Sequence, residues 1–171
     1  MFVLTVDNVR VHVSDHVWKR SDTLRGCMDL EPDEYIEDVP AFMATLPLDA
    51  YVPVRVHFYT IQWLQAFVHF FHKEYPFQWT SEQEDSLTLK ASQVEFAKSA
   101  IYKFIANSVQ SKSPSGRSHL DMVDINRLNL LLNETDFLLA GFAHYCLVRY
   151  QYSLAIANNG NLQDYKRLLC I

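Results

Sequence analysis

From Val54 to Phe71 the chain carries one formal charge, Arg55, and apolar or aromatic side chains on nearly every side of a helix drawn through it. At 3.6 residues per turn, Val54, Phe58, Ile61, Val68 and Phe71 form one apolar stripe. Val56, Tyr59, Trp63, Phe67 and Phe70 form a second, which leaves only Arg55, Gln62, His69 and Lys73 for water. A helix of this kind is the central helix of a small domain or is partly covered by another protein, and the remaining chain must wrap it. Its apolar run falls short of the roughly 20 residues a bilayer requires and is interrupted by Arg55, His57, Gln62, Gln65 and His69. The expectation is therefore no membrane partner.

At 171 residues the chain has room for one domain with a full core. A hydrophobic share of 49% and an aromatic share of 13% argue against disorder along most of it. A net charge of −5 without a clustered Lys/Arg run disfavours nucleic acid, whose phosphates are held mainly by cationic contacts. The start reaches Asp7 too soon for a secretion signal and has no basic lead. Cys27, Cys146 and Cys170 are odd in number and far apart, as suits a reducing compartment. The expected location is cytoplasmic, nuclear or both.

Motifs that carry chemistry are missing from the sequence. It has no glycine-rich phosphate loop, no H-E-x-x-H, no G-x-S-x-G and no paired Cys/His clusters. His69 and His72 lie one turn apart without an acidic or thiolate neighbour in sequence, so they read as a helix-end pair rather than metal ligands. No catalytic residue, cofactor or metal is assigned, and an enzyme is not expected.

Alternation in Phe2–Val6 and Val9–Val13, separated by Asp7-Asn8, predicts a hairpin whose turn needs the positive φ that Asn and Asp tolerate. Ser14 and Ser21 are placed to cap two short helices, through Lys19 and through Met28. Six carboxylates between Asp29 and Asp38 predict a solvated loop. A third strand is predicted over Met43–Leu48, ending at Leu46-Pro47, followed by Asp49 as the cap of the long helix, with Pro53 in its first turn and Tyr75-Pro76 closing it. Ser81 and Glu84 read as a capping box. A helix over about 92–110 buries Val94, Ala97, Ile101, Phe104, Ile105 and Val109, and 111–118 reads as a mobile linker. Beyond it, Asn133 or Thr135, in a sequon read as a helix cap, starts a helix with Phe137, Ala140, Phe142 and Tyr145 inside. A second helix follows to Asn158, ended by Asn159-Gly160, and a last short one carries Leu162, Tyr165, Leu168 and Leu169.

The order hairpin, two capped short helices, acidic loop, strand with Leu-Pro and long helix resembles the BTB/POZ fold in the compact form of Skp-type adaptors of cullin ubiquitin ligases and elongin C. Ile61-Gln62-Trp63 stands in the long helix where Skp-type chains carry the same triplet. Phe137-x-Leu139 followed by Ala143-His144-Tyr145 is similar to the family's F-x-L-x-x-A-A-N-Y segment, with Val148-Arg149 where the family has I-K. Residues 161–169 resemble the T-P-E-E-I-R-K-T-F helix of Skp-type chains. The likeness covers about 1–75 and 130–169; His144 stands where the family has Asn, and 80–125 is longer than its usual linker.

This resemblance implies an α+β, Skp/elongin C-like BTB/POZ fold, a small three-stranded sheet flanked by helices, with an extra helical insertion. Its parts would be 1–79, the BTB/POZ N-terminal part; 80–125, the insertion and flexible linker; and 126–171, the C-terminal helices that complete the domain. It implies a non-enzymatic adaptor bridging a cullin-like scaffold and an F-box-like protein in the ubiquitin conjugation pathway. His144 and Tyr145 would face the cullin; Tyr152, Leu154, Tyr165, Leu168 and Leu169 would face the F-box. An apolar stripe near the C-terminus suits such an interface, where desolvated Tyr anchors dominate, although Leu154 and Leu168 could equally close the core. The alternative is a structural or self-associating BTB module, forming a homodimer, in an assembly outside ubiquitin ligation.

Overall fold

A computed structural model describes residues 1–27, 37–74, 91–111 and 123–157, with the backbone alone for 74, 91–99 and 155–157. Strand β1 (Phe2–Leu4) pairs antiparallel with β2 (Arg10–His12), Val3 opposite Val11. The turn uses three residues, Val6-Asp7-Asn8, closed by a 3.0 Å bond from Thr5 N–H to the Val9 carbonyl. Asn8 takes the positive φ, 61°, as the side-chain logic required. The Thr5 hydroxyl donates to Asp7 at 2.6 Å, and this bond, then the Phe58 amide, hold the Asp7 carboxyl below the usual carboxylate range.

The third strand is not at Met43–Leu48, where the sequence predicts it. Residues Val39–Thr45 form helix α3, whose N-cap Asp38 accepts from the Ala41 amide at 3.1 Å and whose first turn holds Pro40. A cap followed by proline is a helix-start signal, and it outweighs a short apolar run. Leu46 leaves the helix with ψ 132, as a residue preceding proline is inclined to do. Leu48–Ala50 is a single 3₁₀ turn, so Asp49 does not cap the long helix. The strand is instead β3 (Val52–Pro53), which pairs parallel with β1 and gives the sheet order β2-β1-β3. An edge strand is where a proline without an N–H can sit. Val54 and Val56 continue this extended segment, donating and accepting across to Leu4 and Val6 at 2.9 Å.

Helices α1 (Asp15–Trp18) and α2 (Asp22–Gly26) follow the hairpin. Ser14 occupies the first N-cap without a side-chain bond, whereas Ser21 accepts from Leu24 N–H at 3.1 Å and caps the second. The long helix α4 runs Phe58–Glu74, four residues later than its apolar run begins. Ile61, Trp63, Leu64, Phe67, Val68 and Phe71 are buried, while Gln62, His69 and Lys73 lie on the exposed strip that the periodicity defined. The helix is central: Phe67 meets Phe142 at 5.9 Å and Phe104 at 6.0 Å, and Phe71 meets Phe142 edge-on at 5.0 Å.

Three further helices complete the described fold: α5 (Ala91–Ser108), α6 (Ile125–Phe137) and α7 (Gly141–Ala157). In α5, Ile101, Ile105 and the following Val109 are buried and Lys103 is exposed, as its amphipathic pattern predicts. Phe104 stacks on Phe70 at 4.7 Å, and the Tyr59 hydroxyl donates to the Ser108 carbonyl at 2.8 Å, so α5 shares the core of α4. Neither Asn133 nor Thr135 starts a helix. Both lie inside α6, which begins at the N-cap Asp124, its carboxylate accepting from Arg127 N–H at 3.2 Å. Thus the described residues form an α+β fold with a small mixed sheet. Among them no helix is long and apolar enough to cross a membrane. The expectations for most of the acidic run, the Ser81–Glu84 cap, the 112–118 linker, Asn159-Gly160 and the last helix lie outside the described residues.

Burial separates the cysteines sharply. Cys27 is exposed, whereas Cys146 is buried in α7 and desolvation pushes its thiol up to about 12. Brief treatment of the native protein with iodoacetamide at pH 8 should alkylate Cys27 and leave Cys146 unmodified until denaturant is added. Peptide mass spectrometry reads this directly, and equal native labelling of both would contradict the packing of α7.

Candidate functional site

The junction of α6 and α7 is built by a leucine in an unusual conformation. Leu139 has φ 51°, a left-handed value that costs a residue with a Cβ about 1–2 kcal/mol. It occupies the position after the helix cap: its N–H donates to the Asp136 carbonyl at 3.0 Å, and Ala140 N–H donates to the Thr135 carbonyl at 3.1 Å. This pair of bonds is the Schellman arrangement, which ordinarily takes glycine. The same leucine is 55% exposed, and Phe137, two residues earlier, is 45% exposed. Phe137 therefore does not belong to the inner face predicted for it, and neither does Tyr145; α6 and its C-cap bury Leu128, Leu131, Leu132, Thr135 and Leu138 instead. The left-handed residue resets the helical phase, so the face that holds Phe142 in α7 is not a continuation of the one before it.

Helix α2 holds the junction in place. The Thr23 hydroxyl donates to the Phe137 carbonyl at 2.7 Å, and the Ser21 hydroxyl donates to the Leu138 carbonyl. Carbonyls at a helix C-terminus lack intrahelical donors, and here the start of another helix supplies them. Phe137 and Leu139 are accordingly displayed from a fixed backbone.

On α7, Tyr145 is 46% exposed and Tyr152 48% exposed, with exposed Arg149 between them. Spacings of four and three residues put all three on one side of the helix, with Tyr145 and Tyr152 about 10 Å apart along the axis. The structure thus aligns one residue from each expected face, Tyr145 and Tyr152, in a single row. His144 is half-buried beside Thr135, Nδ1 3.1 Å from Oγ1. The Thr135 hydroxyl hydrogen goes to the Leu131 carbonyl at 2.6 Å, so Nδ1 carries the proton and donates. This bond ties α7 to α6. Leu154 is buried and closes the core, and Tyr165, Leu168 and Leu169 lie outside the described residues.

Sequence reasoning missed Phe137 and Leu139 as exposed groups. The available signal was the stripe Leu128, Leu131, Thr135 and Leu138, which repeats every three or four residues and leaves 137 and 139 off its face.

A concave feature lies beside the C-terminal half of α4. His12, Ser14, His16, Val17, Gln65, Val68, His69 and His72 line a cleft of about 480 Å³. His69 and His72, read as a helix-end pair, are here joined by imidazoles from β2 and α1. Among the described residues no group of His, Cys, Asp and Glu is arranged to hold a metal ion.

No protein-family model matches the chain, and neither the curated proteins nor the solved structures contain a match to it.

Proposed function

We propose that this chain is a non-enzymatic adaptor subunit, Skp-like and of the BTB/POZ fold, that bridges a cullin-like scaffold and an F-box-like receptor in a ubiquitin ligase or a related multi-subunit complex. The order of elements supports the fold assignment: a hairpin, two short helices, a third strand parallel to the first, and a long apolar helix wrapped by the rest. The observation that carries the functional reading is Leu139. An exposed leucine in a left-handed conformation costs the isolated chain stability through backbone strain and leaves apolar surface in water. A partner that covers it together with Phe137 and the Tyr145–Tyr152 row makes that placement productive, because aromatic and apolar anchors on a rigid backbone are what docking surfaces use. A second reading, a self-associating module, draws on exposed Phe42 and Leu48, beside the sheet, where Phe42 packs on Phe2 at 5.4 Å.

The test separates docking from stability. Leu139→Gly relieves the left-handed strain at the smaller entropic cost of glycine, so thermal stability should hold or rise by about 0.5–1 kcal/mol. Capture of cullin-like and F-box-like polypeptides by the tagged chain, scored by mass spectrometry, should fall at least tenfold, and Tyr145→Ala with Tyr152→Ala should act in the same direction. Undiminished capture by both variants would remove the adaptor surface from this junction. A stable homodimer on light scattering that Phe42→Asp dissociates would favour the self-associating module.

A further inference from the structure

Resting on the adaptor reading above, we infer that the row Tyr145, Arg149 and Tyr152 on α7 receives an acidic amphipathic helix of a partner protein. A partner carboxylate sits on Arg149, between apolar groups that cover the two tyrosines. The three positions, spaced by four and three residues, share one side of the helix and are exposed. Gly141, one turn before Tyr145, is also exposed and has no side chain to rise above the row. Half-buried His144 and Val148 flank it on α7. The result is a straight ridge of side chains, a shape that packs along a second helix.

Charge selects the partner. Among the described residues Arg149 pairs with no carboxylate, and neither the Tyr145 nor the Tyr152 hydroxyl is hydrogen-bonded. The guanidinium lies beside the Tyr102 phenol of α5, which burial keeps neutral, so the positive charge stays on offer. A guanidinium presents its N–H groups as a fork that matches a carboxylate, and this pairing is stronger than one between neutral groups. On a chain of net charge −5, a cation framed by two exposed tyrosines complements a negative partner. No second Lys or Arg stands in the row, so its single charge balances one carboxylate, whereas a phosphoryl group of charge about −2 would stay half uncompensated. Tyr and Arg are also the side chains that most often serve as interface anchors.

Fluorescence anisotropy on the full chain tests this with three synthetic alanine-rich helical peptides, each with two leucines seven residues apart and Glu, Gln or Lys between them on the same face. The Glu peptide should bind saturably, the Gln peptide about fivefold more weakly and the Lys peptide more weakly still, with added salt narrowing the differences. In Arg149→Glu the order should reverse, and in Arg149→Gln the preference should vanish; the position is exposed, so both variants should keep the parent's thermal stability. Absence of saturable binding by the Glu peptide, equal affinity for all three, or an unchanged order in Arg149→Glu would overturn the inference. Dimerisation that Arg149→Glu abolishes would put a second copy on the row and overturn it as well. Loss of the charge preference, with capture of cullin-like and F-box-like polypeptides intact, removes the carboxylate contact alone; the preference without such capture removes the adaptor reading alone.

Discussion

Replacing Glu134 by alanine should destabilise the protein by about 3–5 kcal/mol, a large part of the 5–15 kcal/mol that holds a typical domain folded. The side chain reaches from α6 to the N-terminus of α4, where helical amides lack partners and the helix dipole favours negative charge. Its carboxylate accepts from His57 N–H at 2.9 Å, from His57 Nδ1 at 3.1 Å and from the Thr60 hydroxyl at 2.7 Å. Asp7 completes the arrangement by accepting from Phe58 N–H at 3.0 Å. The long helix is thus started by two carboxylates remote in sequence, one from the hairpin turn and one from α6. Truncation leaves the buried Thr60 hydroxyl and the His57 amide without their acceptor, and each such loss costs about 1–3 kcal/mol. Glu134→Gln keeps one acceptor oxygen but turns a donor toward donors, so about 1–2 kcal/mol is expected. Urea unfolding measures both, and Thr60→Val should cost markedly less in the Glu134→Ala background than alone. A loss below 1 kcal/mol for Glu134→Ala would show that α4 does not depend on this bond set.

Why Glu134 was not recognised as an anchor is instructive about what a sequence displays. It lies three residues after Leu131 and four before Leu138, on the apolar stripe of α6, and a carboxylate in that position needs donors from elsewhere. The signal was present, but its partners, 74 to 77 residues away, were not. The central helix was legible because 3.6-residue periodicity depends on the segment alone. Its beginning was not, because Val52, Val54 and Val56 satisfy an alternating strand pattern as well as a helical one, and the cap that decides between them is tertiary. Likewise Asp38-Val39-Pro40 was a local helix start obscured by the acidic run before it. In α7, Tyr145 and Tyr152 were identified as candidate contacts and are exposed, but Tyr145 was also assigned inward together with Phe137, because a leucine at the left-handed position gives no warning in sequence that the helical phase changes; glycine would have.

Above pH 9 the protein should lose stability progressively, with Cys146 as a principal cause. Burial raises this thiol from an ordinary value of 9.0 to about 12, so the folded state keeps the proton that the unfolded state releases. For a raised pKa the stabilisation is complete below the unfolded value and disappears as pH climbs through the folded one, which sets the window at about 9 to 12. The slope approaches 1.4 kcal/mol per pH unit, and the whole effect is on the order of 4 kcal/mol. Burial also raises Tyr59, Tyr102 and Tyr150 above 10.0, so their contributions act in the same direction but begin at higher pH. The interval between pH 9 and 10 is therefore where the thiol acts ahead of the phenols. Urea unfolding at half-unit steps under reducing conditions should show the decline in the parent protein. In Cys146→Ala, stability at pH 8 should fall by about 1 kcal/mol from lost packing, while the decline between pH 9 and 10 should flatten. Parallel pH curves for the two proteins would exclude Cys146 as the titrating group and require its environment in α7 to be wetter than its burial implies.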